Sequence, residues 1–358
     1  MKTIVRVSIP LVVLLVALAA AIAFGGPVIP PTLHSVSDPF RTVDFSDLPA
    51  ARGFVARDNT RLAYRAYLPA SNPRGSVVLV HGSAGSSTSM HVLAKALSKA
   101  GFAVYALDIR GHGDSGIRGE IGYVGQLEDD LEDFVHAVKP ASPATLGGFS
   151  SGGGFALRFA GDRRQKLFAS YLLLSPYIGY DAPTRRKASG GWVSVGVPRY
   201  VAISLLNRIH LHSFDDLPVI RFAIDDAAER LLTPTYSYAL IENFEPLRDY
   251  RKNIRAAAQP MRIVAGQEDE LFFADQFDGL FKSAGRPVPV TLVPGVGHIP
   301  LTLKAEAVAE VVRAKEMMDA RPEAQTAGLI LRAAQSHPSR QPVFAANADA
   351  AGAQAGGQ

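Results

Sequence analysis

The alternation of short apolar runs with amphipathic segments constrains the fold of this chain more than any other feature. Four predominantly apolar runs of strand length lie at residues 76–80, 101–108, 144–149 and 168–174, and helical patterns separate them. Continuous apolar strands are typical of a sheet that is covered on both faces. Strands that alternate with helices predict a parallel sheet between two layers of helices. The predicted fold class is therefore α/β.

Further segments extend this sheet on both sides. Residues 53–68 alternate in polarity and predict two antiparallel strands that turn at Asp58-Asn59. After a long interval the strand pattern returns at residues 261–265 and 288–293, and a last helix is predicted from about residue 301 to 320. We predict that residues 51–320 form a single domain of the size of a typical enzyme domain.

Residues 176–258 interrupt the alternation. Prolines break the helical patterns here, and aromatic side chains are spread through the whole segment. An insertion at this point of the chain could cover the carboxyl edge of the sheet, where open α/β folds bind their ligands. Substrate selection is therefore expected to depend on residues 176–258.

The first 26 residues have the layout of an export signal or a membrane anchor. Lys2 and Arg6 precede an apolar run over residues 7–24, and Ala21-Ile22-Ala23 offers small residues for cleavage. The run also reaches the lower length limit for crossing a bilayer. A cleaved signal and an uncleaved anchor both remain open. Either one predicts membrane contact through this segment and an exported, periplasmic or extracytoplasmic domain.

Two segments are predicted to lie outside the folded domain. Residues 27–50 contain five prolines and little periodicity, which predicts an extended linker. Residues 321–358 are rich in Ala, Gln and Gly, which predicts a largely disordered tail.

The composition excludes several kinds of function. The net charge is only +4 and the basic residues are scattered, whereas a nucleic-acid partner requires a basic face. The chain has no cysteine, which excludes disulfides, a cysteine nucleophile and cysteine-ligated zinc. We predict no cofactor and no metal.

Residues 143–159 carry the strongest chemical signal. They read PATLGGFSSGGGFALRF and place Ser150 between Gly148 and Gly152 in a G-x-S-x-G pattern. The stretch predicts a strand, a sharp turn and a helix. A serine at the top of such a turn has an exposed hydroxyl and a strained backbone, which suits a nucleophile. A glycine turn without chemistry is the alternative, which the buried strand and helix on either side disfavour.

A serine hydroxyl is a weak nucleophile, so it requires a base and a group that orients the base. His298 is the predicted base because it lies in a glycine-containing loop directly after the last strand. Asp269 is the predicted orienting acid, in the loop that follows the preceding strand. Glu268 and Glu270 flank Asp269 and remain alternatives.

Acyl transfer also requires donors for the oxyanion, each worth roughly 3 to 4 kcal/mol in other enzymes. The Ser151 amide is one predicted donor because it begins the helix after the nucleophile, where the helix dipole favours negative charge. The Ser83 amide is the other, in the glycine-rich loop after His81-Gly82. His81 is expected to support that loop and to take no part in proton transfer.

Together these motifs resemble those of the serine α/β-hydrolases, and within them the monoacylglycerol-lipase-like and serine aminopeptidase (S33) group. The resemblance covers about residues 53–320 and rests on His81-Gly82-Ser83, on DIRGHGDS at 108–115, on the elbow at 148–152, and on residues 266–269 and 297–298. The order Ser150, Asp269, His298 is that expected of these hydrolases.

The resemblance implies a mostly parallel eight-stranded sheet with helices on both faces, a helical lid after the sixth strand, and hydrolysis through an acyl-enzyme without a cofactor. It also implies structural roles for His112 and Asp114. The chain departs from many relatives at Phe149, where they have His or Tyr, and at Ser151, where they have Met or Gln. These departures put the subgroup in doubt and leave the catalytic assignment intact.

The sequence thus predicts an exported or membrane-tethered serine hydrolase that cleaves small-molecule or lipid-like carboxylic esters. One alternative is an aminopeptidase or amidase with the same triad, which should show an acidic recess in the lid; Asp215-Asp216 and Asp225-Asp226 are candidates for it. A non-catalytic binding module on the same fold is the other alternative, although such modules usually lack a member of the triad.

Overall fold

The structure is a computed structural model that describes residues 2–33, 38–187, 191–225, 229 and 231–320. The predicted tail at residues 321–358 lies outside the described residues. The helices in the described part are α1 (Lys2–Phe24), α2 (His91–Lys99), α3 (Gln126–Val138), α4 (Ser151–Ala160), α5 (Val197–Asn207), α6 (Tyr238–Phe244), α7 (Tyr250–Ala256), α8 (Gln276–Ser283) and α9 (Ala305–Asp319). The strands are β1 (Arg52–Val55), β2 (Arg61–Tyr67), β3 (Ser76–Val80), β4 (Ala103–Leu107), β5 (Ala144–Phe149), β6 (Ser170–Leu174), β7 (Val193–Val195), β8 (Pro218–Phe222), β9 (Thr235–Ser237), β10 (Met261–Gly266) and β11 (Val290–Val293).

Eight of these strands form one sheet, in the order β1-β2-β4-β3-β5-β6-β10-β11. The pairs β1/β2 and β2/β4 are antiparallel, and all other neighbours in this sheet are parallel. The predicted α/β fold with a mostly parallel eight-stranded sheet is confirmed. The predicted hairpin is present as β1 and β2, and the turn between them includes Asn59 in a left-handed conformation (φ 66°).

Both faces of the sheet are buried. Successive side chains of a strand point to opposite faces, so each central strand contributes to the apolar cluster on either side. On β3, Val77 and Leu79 join one apolar cluster, while Val78 and Val80 join the other. Helices α2 and α9 contribute to the first cluster, and α3, α4 and α8 contribute to the second. The parallel strands therefore read as continuous apolar runs, and their carboxyl ends form one common edge.

The insertion predicted at residues 176–258 lies between β6 and β10, but it contains strands as well as helices. It contains α5, α6 and α7 together with a three-stranded antiparallel sheet in the order β7-β8-β9. We call residues 176–258 the lid segment. Its strands are only three to five residues long, which is too short for a period of two to be read with certainty.

Helix α1 contacts the lid segment. The Arg199 guanidinium on α5 donates hydrogen bonds to the carbonyl oxygens of Ile22 (2.8 Å) and Ala23 (3.2 Å), which belong to the last turn of α1. These carbonyls have no partner within a helix, so a guanidinium is a suitable cap. Among the residues that the structure describes, no helix combines the length and the apolar character needed to cross a membrane.

Candidate active site

Ser150 lies at the sharp turn between β5 and α4. Its backbone has φ 55° and ψ −119°, a conformation that costs a non-glycine residue free energy and persists only where the surroundings enforce it. The turn requires glycines on both sides. A Cβ at Gly148 would lie 2.0 Å from the carbonyl oxygen of Gly152, and a Cβ at Gly152 would lie 2.4 Å from that of His81.

The structure brings Ser150, His298 and Asp269 together from three loops at the carboxyl edge of the sheet. His298 Nε2 lies 3.0 Å from Ser150 Oγ, and His298 Nδ1 lies 2.8 Å from Asp269 Oδ2. All three residues are buried. With Nδ1–H donating to the carboxylate, Nε2 has a free lone pair that can accept the serine proton.

The surroundings of Asp269 hold it as an anion. Burial alone would raise the pKa of its carboxyl group, but the interaction with His298 and the hydrogen bonds from His298, Leu271 and Ser175 together outweigh burial, and the pKa lies below its ordinary value. Asp269 Oδ1 also accepts hydrogen bonds from the amides of Leu271 and Phe272, each at 2.9 Å. The carboxylate can therefore stabilise a positive imidazole without taking its proton.

The two alternative acids occupy other positions. Glu268 is exposed, while Glu270 Oε2 accepts a hydrogen bond from the backbone amide of His298 at 2.8 Å. Glu270 therefore fixes the histidine loop through its backbone and does not orient the imidazole ring. Sequence reasoning missed this role, because the bond joins positions 28 residues apart in the chain.

Two aromatic rings enclose His298. The Phe149 ring centroid lies 4.7 Å from that of the imidazole, and the Phe272 ring packs edge-on at 5.1 Å. Phe149 is one of the departures from the family pattern, and it offers no hydrogen-bonding group here. It restricts the imidazole by contact alone.

The predicted oxyanion donors Ser83 and Ser151 lie side by side. Their hydroxyl oxygens are 2.5 Å apart, and a Cβ at Gly82 would lie 3.2 Å from Ser150 Cβ. The Ser83 amide donates no hydrogen bond to any residue that the structure describes, so it can serve a bound oxyanion. The Ser151 amide begins α4, where the helix dipole adds to the attraction.

The DIRGHGDS motif supports these loops. Asp108 accepts hydrogen bonds from the amides of Ser87 (2.6 Å) and Asp114 (3.2 Å). Arg110 pairs with Asp58 and Asp130, and His112 is fully buried. The structure thus places His112 and Asp114 away from the proton-transfer path.

His81 and His112 form a buried pair whose ring centroids are 4.7 Å apart. Burial lowers the pKa of the His81 imidazole, and burial together with His81 lowers the pKa of His112 well below its usual range. Below a pH of about 6.5 the unfolded chain therefore binds more protons at these positions than the folded chain does. The contribution of the two histidines to the free energy of unfolding should therefore fall as the pH falls through this range.

For His112 we expect this contribution to reach about 1.4 kcal/mol per pH unit. Urea unfolding of wild type at several pH values between about 7.5 and 5.5 measures the slope. His112→Gln should reduce the slope of the free energy of unfolding against pH by about 1.4 kcal/mol per pH unit, which corresponds to one proton. His136→Gln, at an exposed position on α3, should leave the slope unchanged. Equal slopes in His112→Gln and wild type would contradict the assignment.

No group of three or more His, Cys, Asp or Glu side chains suited to a metal ion occurs in the described part of the chain.

The sheet order, the strained serine turn and the Ser-His-Asp geometry define an α/β-hydrolase. The comparison with protein families specifies the group: the model described as serine aminopeptidase, S33, matches residues 71–302. The chain belongs to this family. The resemblance that the motifs indicated is confirmed.

The sequence relatives include one protein named as a monoacylglycerol lipase and one named as a monoglyceride lipase homolog. The monoacylglycerol lipase of Mycolicibacterium smegmatis is 34% identical over 131 residues, which are 35% of this chain and 46% of the relative. The monoglyceride lipase homolog of Monkeypox virus is 30% identical over 132 residues, 36% of this chain and 48% of the relative. The chain thus spans about half the length of the curated relatives it matches.

Solved structures agree on the fold. A soluble variant of Saccharomyces cerevisiae monoglyceride lipase has a TM-score of 0.59 at 18% identity, over 76% of this chain and 95% of that protein. A putative aryl esterase from Burkholderia cenocepacia has a TM-score of 0.53 at 20% identity, over 76% of this chain and 100% of that protein. At such low identity the likeness concerns the fold alone.

Proposed function

We propose that this protein is a serine hydrolase that cleaves carboxylic esters through an acyl-enzyme, with Ser150 as nucleophile, His298 as base and Asp269 as orienting acid. The observation that carries the proposal is the continuous line of hydrogen bonds from Ser150 Oγ through His298 to Asp269, at 3.0 and 2.8 Å. A non-catalytic module has no need for a buried, fully connected triad at a strained turn.

The geometry supports the following sequence of steps. Ser150 Oγ attacks the ester carbonyl while His298 Nε2 takes its proton, and the amides of Ser83 and Ser151 hold the oxyanion. The positive imidazole then returns the proton to the departing alcohol as the ester bond breaks. Water then attacks the acyl carbonyl while the same nitrogen takes its proton. As the bond from the acyl carbon to Ser150 Oγ breaks, that proton returns to Ser150 and the acid is released.

We infer lipid-like esters among the substrates from the surface of the lid segment. Val197, Val201, Leu205 and Ile209 recur every four residues along α5 and just beyond it, and they are 42–70% exposed. Residues four apart lie on one face of a helix, so these side chains form an apolar stripe. Such a stripe suits contact with an apolar phase. The names of the acylglycerol lipases among the relatives agree with this substrate class.

We further propose that residues 1–26 export the protein and bring it into contact with a membrane. Lys2 and Arg6 in front of the apolar run at 7–24 support export. The bonds from Arg199 to Ile22 and Ala23 support an uncleaved segment, because cleavage after Ala23 would remove both acceptors from the domain. An alkaline phosphatase fusion after residue 60 should be active in growing bacteria. An inactive fusion would contradict export.

An aminopeptidase is the second candidate, and one feature of the lid segment bears on it. Asp215 does not form an open acidic recess, since it accepts hydrogen bonds from Asn207 (2.6 Å) and His212 (3.0 Å). Asp226 lies outside the described residues. Glu245 is different: burial, together with Glu242, raises the pKa of its carboxyl group to about 8. When Glu245 is ionised, its charge also raises the pKa of Tyr177, whose amide donates to the Ser150 carbonyl oxygen at 2.9 Å.

A substrate panel separates the two candidates. We expect wild type to hydrolyse short p-nitrophenyl esters and monoacylglycerols, and to leave aminoacyl-naphthylamides uncleaved. Glu245→Gln should retain the esterase activity. An aminopeptidase would show the reverse preference and would lose activity in Glu245→Gln, because the variant lacks a carboxylate for the substrate amine.

A further inference from the structure

The lid segment reaches into the loop that carries the Ser83 amide. This loop, residues 81–86, includes Ala84, which is fully buried and has a left-handed backbone (φ 59°) although it is not glycine. Both polar groups of the Ala84 backbone are held by the lid segment. The amide donates to the Tyr236 hydroxyl oxygen at 2.6 Å, and the carbonyl oxygen accepts from the Thr233 amide at 2.9 Å.

Chemistry determines the direction of the hydrogen bonds at Tyr236. A backbone amide can only donate, so the Tyr236 oxygen accepts from Ala84 and its own proton is directed elsewhere. That proton is donated to His112 Nε2, which lies 2.7 Å away. His112 can accept it because burial keeps the imidazole neutral by lowering its pKa. The proton on His112 Nδ1 is then donated to the Arg110 carbonyl oxygen at 3.3 Å.

These two bonds fix the orientation of the Tyr236 hydroxyl group. Tyr236 is completely buried on β9, and its ring also packs edge-on against His112 at 5.1 Å. Thr233 adds a second link to the same motif, because its hydroxyl donates to the Gly111 carbonyl oxygen at 3.1 Å. The lid segment therefore joins the loop at residues 81–86 to the DIRGHGDS motif through buried hydrogen bonds.

We propose that Tyr236, oriented by His112, is a positioning residue that holds Ala84 in its left-handed conformation and thereby aims the Ser83 amide at the oxyanion. Ser83 directly precedes Ala84, so a change in the Ala84 turn moves the donor. Small displacements matter, because donors act only from about 3 Å. This inference rests on the proposed acyl transfer and gives the lid segment a role in the chemical step.

The test compares Tyr236→Phe with Tyr238→Phe. Both changes remove one hydroxyl from a buried tyrosine of the lid segment, but only Tyr236 contacts Ala84. With a short soluble p-nitrophenyl ester, kcat of Tyr236→Phe should fall by about 10- to 100-fold, somewhat less than the loss of a whole oxyanion donor. KM should stay within about twofold, because ground-state binding is not altered. Tyr238→Phe should resemble wild type.

A double-variant cycle with His112 provides a second test of the bond from Tyr236 to His112. His112→Leu should lower kcat as Tyr236→Phe does, and the double variant should be hardly worse than either single one, because both act through one path. His112→Gln offers the hydroxyl a new acceptor and should recover part of the rate. Thermal unfolding shows that each variant is folded at the assay temperature.

Three results would overturn the inference: an unchanged kcat in folded Tyr236→Phe, a rise in KM alone, or fully additive losses in the double variant. None of them would touch the proposed function, which depends on Ser150. Conversely, an inactive wild type in the same ester assay would contradict the proposed function. It would also contradict the role of Tyr236, because no oxyanion would then form at the Ser83 amide.

Discussion

Replacing Ser150 with alanine should lower kcat for ester hydrolysis by about 10⁴-fold or more, because the residual rate of a triad enzyme without its nucleophile comes from the oxyanion donors and binding alone. Labelling by a fluorophosphonate probe should disappear in the same variant. The change removes one oxygen that accepts no bond essential to the fold, so the thermal unfolding temperature should stay close to that of wild type.

The other triad positions provide the internal comparison. Asp269→Asn should cost roughly 10⁴-fold, because the amide favours the wrong imidazole tautomer. Ser150→Ala combined with His298→Ala should be no worse than Ser150→Ala alone, since the residues act as a unit. A Ser150→Ala protein that keeps a tenth of the wild-type rate would exclude Ser150 as the nucleophile.

The central strands could be predicted from the sequence because their side chains are buried on both faces of the sheet and are therefore mostly apolar. The runs at 76–80 and 144–149 match β3 and β5 residue for residue, since Ser76 and Thr145 are their only polar residues and a glycine or proline directly precedes each run. The ends of other strands were predicted less accurately: the runs at 101–108, 168–174 and 288–293 extend up to two residues beyond β4, β6 and β11, and the run at 261–265 stops one residue short of β10. Apolar residues such as Phe102 and Phe168 are buried just outside the strands as well, so the apolar pattern does not mark where the backbone pairing ends.

Other elements gave too weak a signal. Helix α8 lies between β10 and β11 and was missed, because its eight residues contain Gly279 and a mixture of polar and apolar side chains. In the lid segment, β7 to β9 depend on pairing with one another and with the core, so tertiary contacts decide their conformation. Local propensity cannot reveal such strands.

The candidate site divides in the same way. Ser150, His298 and Asp269 could be named because each follows a readable strand, and parallel strands bring the loops at their carboxyl ends to one edge. Tyr236 and Glu270 could not, since their roles depend on bonds to Ala84 and to the His298 backbone across 152 and 28 positions of the chain. His91 is another case: it is buried, and its ring nitrogens bond to Tyr67 and Asp47 across 24 and 44 positions of the chain.

The last expected result concerns the backbone of the elbow. Gly148→Ala should destabilise the protein by about 3 kcal/mol, the upper part of the usual range for overpacking. The new Cβ would lie 2.0 Å from the Gly152 carbonyl oxygen, and neither backbone can move without shifting Ser150. A displacement of the nucleophile by about 1 Å should also lower kcat by roughly 100-fold.

Gly279→Ala is the matched control for this change. A Cβ at Gly279 meets nothing within 4 Å, and alanine is favoured over glycine inside a helix by about 1 kcal/mol. This variant should therefore be as stable as wild type or slightly more stable, with unchanged kcat. Urea unfolding and ester hydrolysis of both variants measure the contrast. If Gly148→Ala were as stable and active as Gly279→Ala, the turn at Ser150 could not be as tight as the contact between residues 148 and 152 requires.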